Sequence, residues 1–243
     1  HVGSQLTATD GYVQTARVVF DVAGTLRTRN ASLRFVDLGG GFGIDYGEGC
    51  PVSPADFIRA VRRLQRTSPA AGLALYCEPG RSLVGAHGVL VARVIGTKRE
   101  RTRAASAPGA ALSVPASVPG ADARRRWLLI DAGMNDLLRP ALYGARHRIV
   151  PLCHAPPSAA TPLVRQRVVG PVCESSDDFG EHDLPDDAPT HVAILDAGAY
   201  GYTMSSRYNG RALPSEVFVR DGRIVHVVER APVTDWVEER LRA

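Results

Sequence analysis

Leu73-Ala74-Leu75-Tyr76-Cys77-Glu78-Pro79-Gly80-Arg81 is a short apolar run ending in a carboxylate, a proline, a glycine and a guanidinium. Such a run reads as a buried strand delivered into a loop. In barrels of parallel strands, the loops at the strands' C-terminal ends carry the chemistry. A second run, Leu33 to Leu38, is followed by Gly39-Gly40-Gly41-Phe42-Gly43. Glycines there can turn backbone N–H groups toward an anion, although taken alone they are equally an ordinary turn. Between the runs, Ser53-Pro54-Ala55-Asp56 predicts a helix start. Ser53 is the N-cap, Pro54 takes the first position and Asp56 sits near the positive end. Phe57, Ile58, Val61 and Leu64 share one face of this helix, and Arg59, Arg62, Arg63 and Arg66 the other. Asp10 is expected to cap an earlier helix from about Gly11 to Arg29, with Val13, Ala16, Val19, Phe20 and Ala23 facing inward. Strands alternating with helices give the rhythm of a parallel sheet or barrel.

After Arg81 the rhythm changes. Val89 to Ile95 is long and β-branched, with no amphipathic helix behind it. Residues 100–126 are rich in Ala, Ser, Pro, Gly and Arg, which predicts a disordered insertion. Further strands are expected at Trp127–Ile130, Arg148–Leu152, Leu163–Val169 and Val192–Leu195, with a Pro-rich loop over 155–162. Asp221-Gly222, between Val217–Arg220 and Arg223–Val228, is a hairpin signal. Thr234 and Asp235 begin a short last helix. The fold class expected is α/β plus β. Residues 1–85 read as the C-terminal part of a (β/α)₈ TIM-like barrel, and 86–243 as an antiparallel β-barrel-like domain.

Hydrophobic content of 44% and charged content of 22% are ordinary for a globular chain. The net charge of +4 comes largely from arginines at 99–103 and 124–126. No aromatic interleaving accompanies them, so no nucleic-acid partner is expected. No stretch is apolar enough to cross a membrane, and no signal peptide is expected. Cys50, Cys77, Cys153 and Cys173 lack metal-type spacing, so no metal and a reduced, cytoplasmic setting are expected. The chain opens at His1, and Lys98 is its only lysine.

The chemistry-bearing stretches are His1-Val2-Gly3-Ser4-Gln5, Asp37 to Gly43, Glu78 to Arg81, and Asp131-Ala132-Gly133-Met134-Asn135-Asp136. They continue with Arg139-Pro140-Ala141-Leu142-Tyr143, Gly170-Pro171-Val172-Cys173-Glu174-Ser175 and Asp196-Ala197-Gly198-Ala199-Tyr200-Gly201. In that order they resemble the diaminopimelate decarboxylase family, pyridoxal-phosphate enzymes of the alanine-racemase-like barrel group. The resemblance implies pyridoxal 5′-phosphate as cofactor. It implies cofactor binding by Ser4, Gly39, Gly40, Gly41, Glu78, Pro79, Gly80, Arg81 and Tyr200. Glu78 would face the pyridine nitrogen, and His1 would stack on the ring as a catalytic residue. Arg81, Arg139 and Tyr143 would hold the substrate's distal carboxylate, a role that suits guanidiniums. Tyr200 would also meet the substrate, Glu174 would pair its distal ammonium, and Cys173 would be the catalytic proton donor. In the family, Cys173 and Glu174 enter the site from the neighbouring subunit of a homodimer.

Each residue alone has a plainer reading. Glu78 would be a solvated strand end, Arg139 a solvated helix residue and Cys173 a small buried hydrophobe. Asp131 and Asp136 read as turn residues. The family's cofactor-bearing lysine lies upstream of anything matched here, and Lys98 does not occupy its position. The chain is therefore expected to be the C-terminal portion of a decarboxylase, inactive by itself. Two alternatives remain: a related pyridoxal-dependent amino-acid decarboxylase with another substrate, and a non-catalytic fragment or regulatory homologue.

Overall fold

Ser53 starts a helix as its neighbourhood predicts. Its hydroxyl accepts the Asp56 N–H at 3.3 Å, its own N–H donates to Asp56 Oδ2 at 2.9 Å, and Pro54 follows in the first turn. This capping box opens α2 (Pro54–Gln65). The computed structural model describes residues 1–29, 32–50, 52–100, 125–152, 161–187 and 189–242. Residues 101–124 of the expected insertion and 155–160 of the Pro-rich loop lie outside the described residues, and Arg126, placed in the insertion, belongs to a strand. The chain divides into two units, His1–Val89 with Leu195–Thr203, and Leu90–Ile194 with Met204–Ala243.

The first unit layers α1 (Asp10–Thr28) and α2 on the parallel pair β1 (Phe35–Gly40) and β2 (Ala74–Glu78). The helical spacing of Tyr12, Ala16, Phe20 and Ala23 puts them on one face. That face packs with Phe57 and Val61 of α2, Val36 and Leu38 of β1, and Phe42. The Tyr12 ring stands edge-on to Phe42 at 5.2 Å and to Phe57 at 5.6 Å, a favoured aromatic geometry. Its hydroxyl donates to the Gly39 carbonyl at 3.3 Å. Burial, with Cys77 and Asp37 nearby, pushes this phenol up to about 12, so it remains a donor. β1 runs past Leu38 into the glycines because a Cβ on Gly40 would stand 1.8 Å from the Glu78 carbonyl oxygen. Glycine is what lets the two strands meet at their C-terminal ends.

The second unit begins with β3 (Leu90–Arg99), β4 (Arg126–Ile130), the short α4 (Arg139–Tyr143), β5 (Ile149–Leu152) and β6 (Leu163–Val169). β7 (Asp178–Pro185) and β8 (His191–Ile194) complete a six-stranded sheet in the order β5-β8-β3-β4-β6-β7. Its end strands β5 and β7 approach each other, which makes the sheet barrel-like. One pair departs from the antiparallel expectation: β4 and β6 run parallel. The chain leaves β4, builds α4 and β5, and returns along β4 in the same direction. β7 was not expected, because Asp178-Phe179-Gly180-Glu181-His182-Asp183 offers little apolar alternation. Cross-strand charge replaces it: Arg167 Nε donates to Asp178 at 2.8 Å, and Arg165 bonds Glu181 at 3.5 Å and Asp183 at 3.3 Å. β9 (Glu216–Arg220) and β10 (Arg223–Val228) form the expected hairpin. Asp221 and Gly222, at φ 50° and 72°, supply its turn. α5 (Val233–Leu241) follows.

Candidate active site

Residues 1–6 lie alongside the glycine run rather than apart from it. The Leu6 N–H donates to the Gly41 carbonyl at 2.8 Å, and the Gly43 N–H donates to the Leu6 carbonyl at 3.0 Å. Gln5 secures this with its side chain, donating to the Ile44 carbonyl at 2.6 Å and accepting the Ile44 N–H at 3.3 Å. A Cβ on Gly41 would stand 2.1 Å from the Gly3 carbonyl oxygen, and one on Gly39 2.8 Å from His1 Cα. The first two glycine N–H groups of the run have partners within the chain. The Gly39 N–H is held by Asp37 at 2.8 Å and the Gly40 N–H meets His1 Nδ1 at 3.4 Å. Those glycines serve close backbone packing, and of the three only Gly41 lines the cavity beside them.

That cavity, of about 460 Å³, is lined by His1, Ser4, Gly41, Glu78, Pro79, Gly80, Arg81, Leu83 and Tyr200. β2 delivers Glu78 to its mouth, and the one-turn helix α3 (Gly80–Val84) places Arg81 inside. Arg81 Nη1 donates to the Tyr46 hydroxyl at 2.7 Å and Nη2 to Ser4 Oγ at 2.8 Å. Its guanidinium carbon stands 5.4 Å from the Tyr200 ring centroid and 5.8 Å from that of Tyr46, within cation–π range. Its Nε is buried and has no hydrogen-bond partner among the described residues. Tyr200 reaches the cavity because residues 195–203 hook onto the segment after α3. The Ala197 N–H donates to Gly88 O at 2.8 Å and the Gly198 N–H to Gly85 O at 3.0 Å. Tyr200 itself turns with φ 61°.

The remaining expected site residues lie in the second unit. Cys173 and Glu174 are exposed on the loop between β6 and β7, and Cys173 is a free thiol. Glu174 accepts a hydrogen bond from the Tyr208 hydroxyl. Tyr143 is exposed, but Arg139 is only 5% exposed, with Nη1 at 2.9 Å from His147 Nε2. Asp136 closes its own turn by accepting the Gly133 N–H at 2.9 Å, and Asp131 accepts the Arg93 N–H at 2.8 Å. Asp136 is the turn residue expected, whereas Asp131 ties the end of β4 to Arg93 of β3. Lys98 belongs to this unit as well, its ammonium 5.5 Å from the centroid of Trp127.

Several supporting residues were not singled out from sequence. Gln5 stands within a matched stretch, and Asp177 lies just beyond another, so position in those stretches was the available signal. Tyr46, His147 and Tyr208 carried none. Chemically, the first unit's cavity offers a carboxylate, a guanidinium with an unengaged Nε, a hydroxyl, a glycine backbone, an imidazole and a phenol. This set fits a phosphorylated pyridine, which needs donors at its phosphate, a carboxylate at its ring nitrogen and flat groups against its face.

A parallel βα layer followed by a barrel-like sheet, with such a cavity at the strand ends, defines a pyridoxal-enzyme architecture. Residues 18–198 match the family described as pyridoxal-dependent decarboxylase, C-terminal sheet domain. The chain belongs to that family, whose cofactor is pyridoxal phosphate. Among its members, the chain is similar to the diaminopimelate decarboxylase of Archaeoglobus fulgidus, 35% identical over 99% of this chain and 52% of the relative. The enzyme of that name from Vibrio cholerae is 34% identical over 95% of this chain and 48% of the relative. A crystal structure of Helicobacter pylori diaminopimelate decarboxylase complexed with L-lysine superposes with a TM-score of 0.77 at 32% identity. That match covers 99% of this chain and 53% of the other. The chain thus spans about half the length of the relatives it matches.

Proposed function

We propose that the enzyme containing this chain decarboxylates meso-2,6-diaminopimelate to L-lysine and CO₂, in lysine biosynthesis. The observation that carries the reading is the convergence of Glu78, Arg81, Ser4, Gly41, His1 and Tyr200 on one cavity in a chain of this family. When bound, pyridoxal phosphate supplies an electron sink for the pair left as CO₂ departs. Glu78 accepts from the ring nitrogen and keeps it protonated. Ser4 and Gly41 would hold the phosphate with Arg81 beside them, while His1 and Tyr200 would lie against the ring. Arg81, Arg139 and Tyr143 receive the distal carboxylate, with His147 keeping Arg139 in place. Glu174 pairs the distal ammonium. Cys173 Sγ gives a proton to the carbon that lost CO₂. These last two act from the neighbouring subunit of a homodimer in the cytoplasm, and the first unit is the C-terminal part of a (β/α)₈ barrel.

The test is CO₂ release by the cofactor-loaded enzyme from meso-diaminopimelate, L-ornithine and L-lysine. Diaminopimelate should be preferred by at least about tenfold in kcat/KM, the equivalent of one charge-assisted hydrogen bond. Cys173→Ala should stop turnover with cofactor still bound. Mixing it with a subunit lacking the cofactor lysine should restore part of the rate. A preference for ornithine or lysine would overturn the substrate assignment.

A further inference from the structure

Three loops of the second unit meet around Glu174. The first is the turn 131–136, and the second is the segment 170–177 that carries Cys173 and Glu174. The third is 204–212, which follows the matched stretches and which the proposed chemistry does not use. Asp177, 4% exposed, joins the first two: Oδ1 accepts the Met134 N–H at 2.7 Å and Oδ2 the Val172 N–H at 2.6 Å. Its main chain closes its own loop, accepting the Gly170 N–H at 3.1 Å and donating to Glu174 O at 3.1 Å. Gly170 makes room for this carboxylate, since a Cβ there would stand 2.4 Å from both of its oxygens. The third loop is tied to the first by the Ser206 N–H donating to Asn135 O at 2.8 Å and by Arg211 Nη2 donating to Asp131 O at 2.6 Å. Asn209 and Gly210, at φ 55° and 67°, turn the chain immediately after Tyr208. Backbone bonds to a common turn therefore fix the segments bearing Glu174 and Tyr208, and the two side chains meet: the Tyr208 hydroxyl donates to Glu174 Oε1.

We propose that Tyr208 is a positioning residue that holds the Glu174 carboxylate ready for the ammonium at the substrate's far end. The inference rests on the reading that Glu174 pairs that ammonium. Glu174 is on the surface, and a free glutamate side chain there loses several rotamers on binding a cation. A hydrogen bond already made to Oε1 removes that loss beforehand and leaves Oε2 to the cation, as preorganisation requires. The neighbouring carboxylate pushes the Tyr208 phenol up, so the phenol stays protonated and donating at neutral pH. A phenol is also neutral, and so does not compete with the substrate's positive charge. The expected consequence is discrimination between a substrate with a distal amine and one without it.

The experiment compares Tyr208→Phe, Glu174→Gln and the double variant in the cofactor-loaded enzyme. The substrates are meso-diaminopimelate and D-2-aminopimelate, which lacks the distal amine. Glu174→Gln should reduce the preference for diaminopimelate by about tenfold or more, and Tyr208→Phe by about three- to tenfold. The Tyr208→Phe effect should appear in KM with kcat kept, and the double variant should be no worse than Glu174→Gln. Preference lost in Glu174→Gln but kept in Tyr208→Phe overturns the role of Tyr208 while the reading of Glu174 stands. Preference kept in Glu174→Gln overturns that reading and the inference with it. Equal losses of kcat on both substrates in Tyr208→Phe would mean a structural role, which also overturns it. A readout independent of turnover is the tyrosine titration of ring-labelled protein. The resonance assigned by Tyr208→Phe should titrate at lower pH in Glu174→Gln, and no movement means the contact is not made.

Discussion

Each unit holds a turn together with an aspartate that accepts backbone N–H groups, but the surroundings differ. Asp56 lies at the surface at the start of α2, with Ser53 N at 2.9 Å, Ser53 Oγ at 2.6 Å and Arg59 at 2.5 Å. These bonds, led by the Ser53 hydroxyl, lower its carboxyl to about 2. Asp177 accepts two equally good bonds from inside the second unit, yet burial pushes its carboxyl above the ordinary value, against the pull of the Val172 and Met134 amides. The two aspartates thus have opposite proton linkage: at Asp56 three hydrogen bonds, one from a guanidinium, prevail, and at Asp177 desolvation prevails over two amides. The stabilising contribution of Asp56 is present above its unfolded value and fades as pH falls. Asp177 takes up its proton more readily folded than unfolded, so its contribution is greatest in acid and declines as pH rises through its folded value.

The largest expected effect is at Asp177. Asp177→Ala leaves the Met134 and Val172 N–H groups without their acceptor, at about 1–3 kcal/mol for each buried donor, or about 2–6 kcal/mol together. Trp127 and Trp236 are the chain's two tryptophans, and both lie in the second unit. Their fluorescence should therefore show the loss in urea unfolding, while the helical circular dichroism of α1 and α2 should hold its midpoint. If both signals move together, the two units unfold as one and the contrast between them has no thermodynamic meaning.

The same contrast explains what could be read from the chain. The start of α2 was legible because Ser53, Pro54 and Asp56 are sequence neighbours, and the hairpin because Asp221-Gly222 specifies its own turn. The residues around the cavity came from a resemblance carried by short stretches, and seven of the expected cofactor ligands together with His1 meet there. Asp177 was not legible because Met134, one of its partners, lies 43 residues away. Nothing local marks a buried acceptor at that range. β7 escaped because ion pairs with Arg165 and Arg167 stand where apolar alternation was sought. The short helices α3 and α4 have too few turns to show a period. At Gly39 and Gly40 the sequence did not show the close packing, because an anion cradle and a close strand crossing use the same residue.

Two arginines extend the comparison, and they set the middle of the range. Arg81 sits between phenols in a cavity of the first unit, whereas Arg139 is interior to the second, against His147. To accept from Arg139, His147 Nε2 must be unprotonated, with the ring proton on Nδ1, an assignment made from the hydrogen-bond geometry. His147→Leu keeps the bulk and removes the acceptor. It should destabilise the second unit by about 1–3 kcal/mol, read again by tryptophan fluorescence, and raise KM for diaminopimelate more than for a substrate without a distal carboxylate. An unchanged unfolding midpoint would mean that the other surroundings of Arg139 suffice to hold it.

The smallest expected effect tests the sign at Asp56. With the unfolded carboxyl at its ordinary 3.8 and the folded one at about 2, the unfolded state binds more protons throughout that interval. Stability contributed by the ionised form is then complete above pH 3.8 and lost progressively toward pH 2. Asp56→Asn has no proton to bind there, and its amide still accepts a hydrogen bond, so it should melt slightly below the parent at neutral pH. The gap in melting temperature, followed by the circular dichroism of α1 and α2, should stay constant from neutral pH to about 4 and narrow below that. The control is the corresponding gap for Asp177→Asn, followed by tryptophan fluorescence. Because its parent carboxyl is raised, that gap should change as pH crosses values above 3.8, where the Asp56 gap is flat. Should the Asp56 gap move in that upper range, its carboxyl is not depressed by the cap. The capping box would then be geometry without proton linkage, and the opposition between the two aspartates would fail at its exposed end.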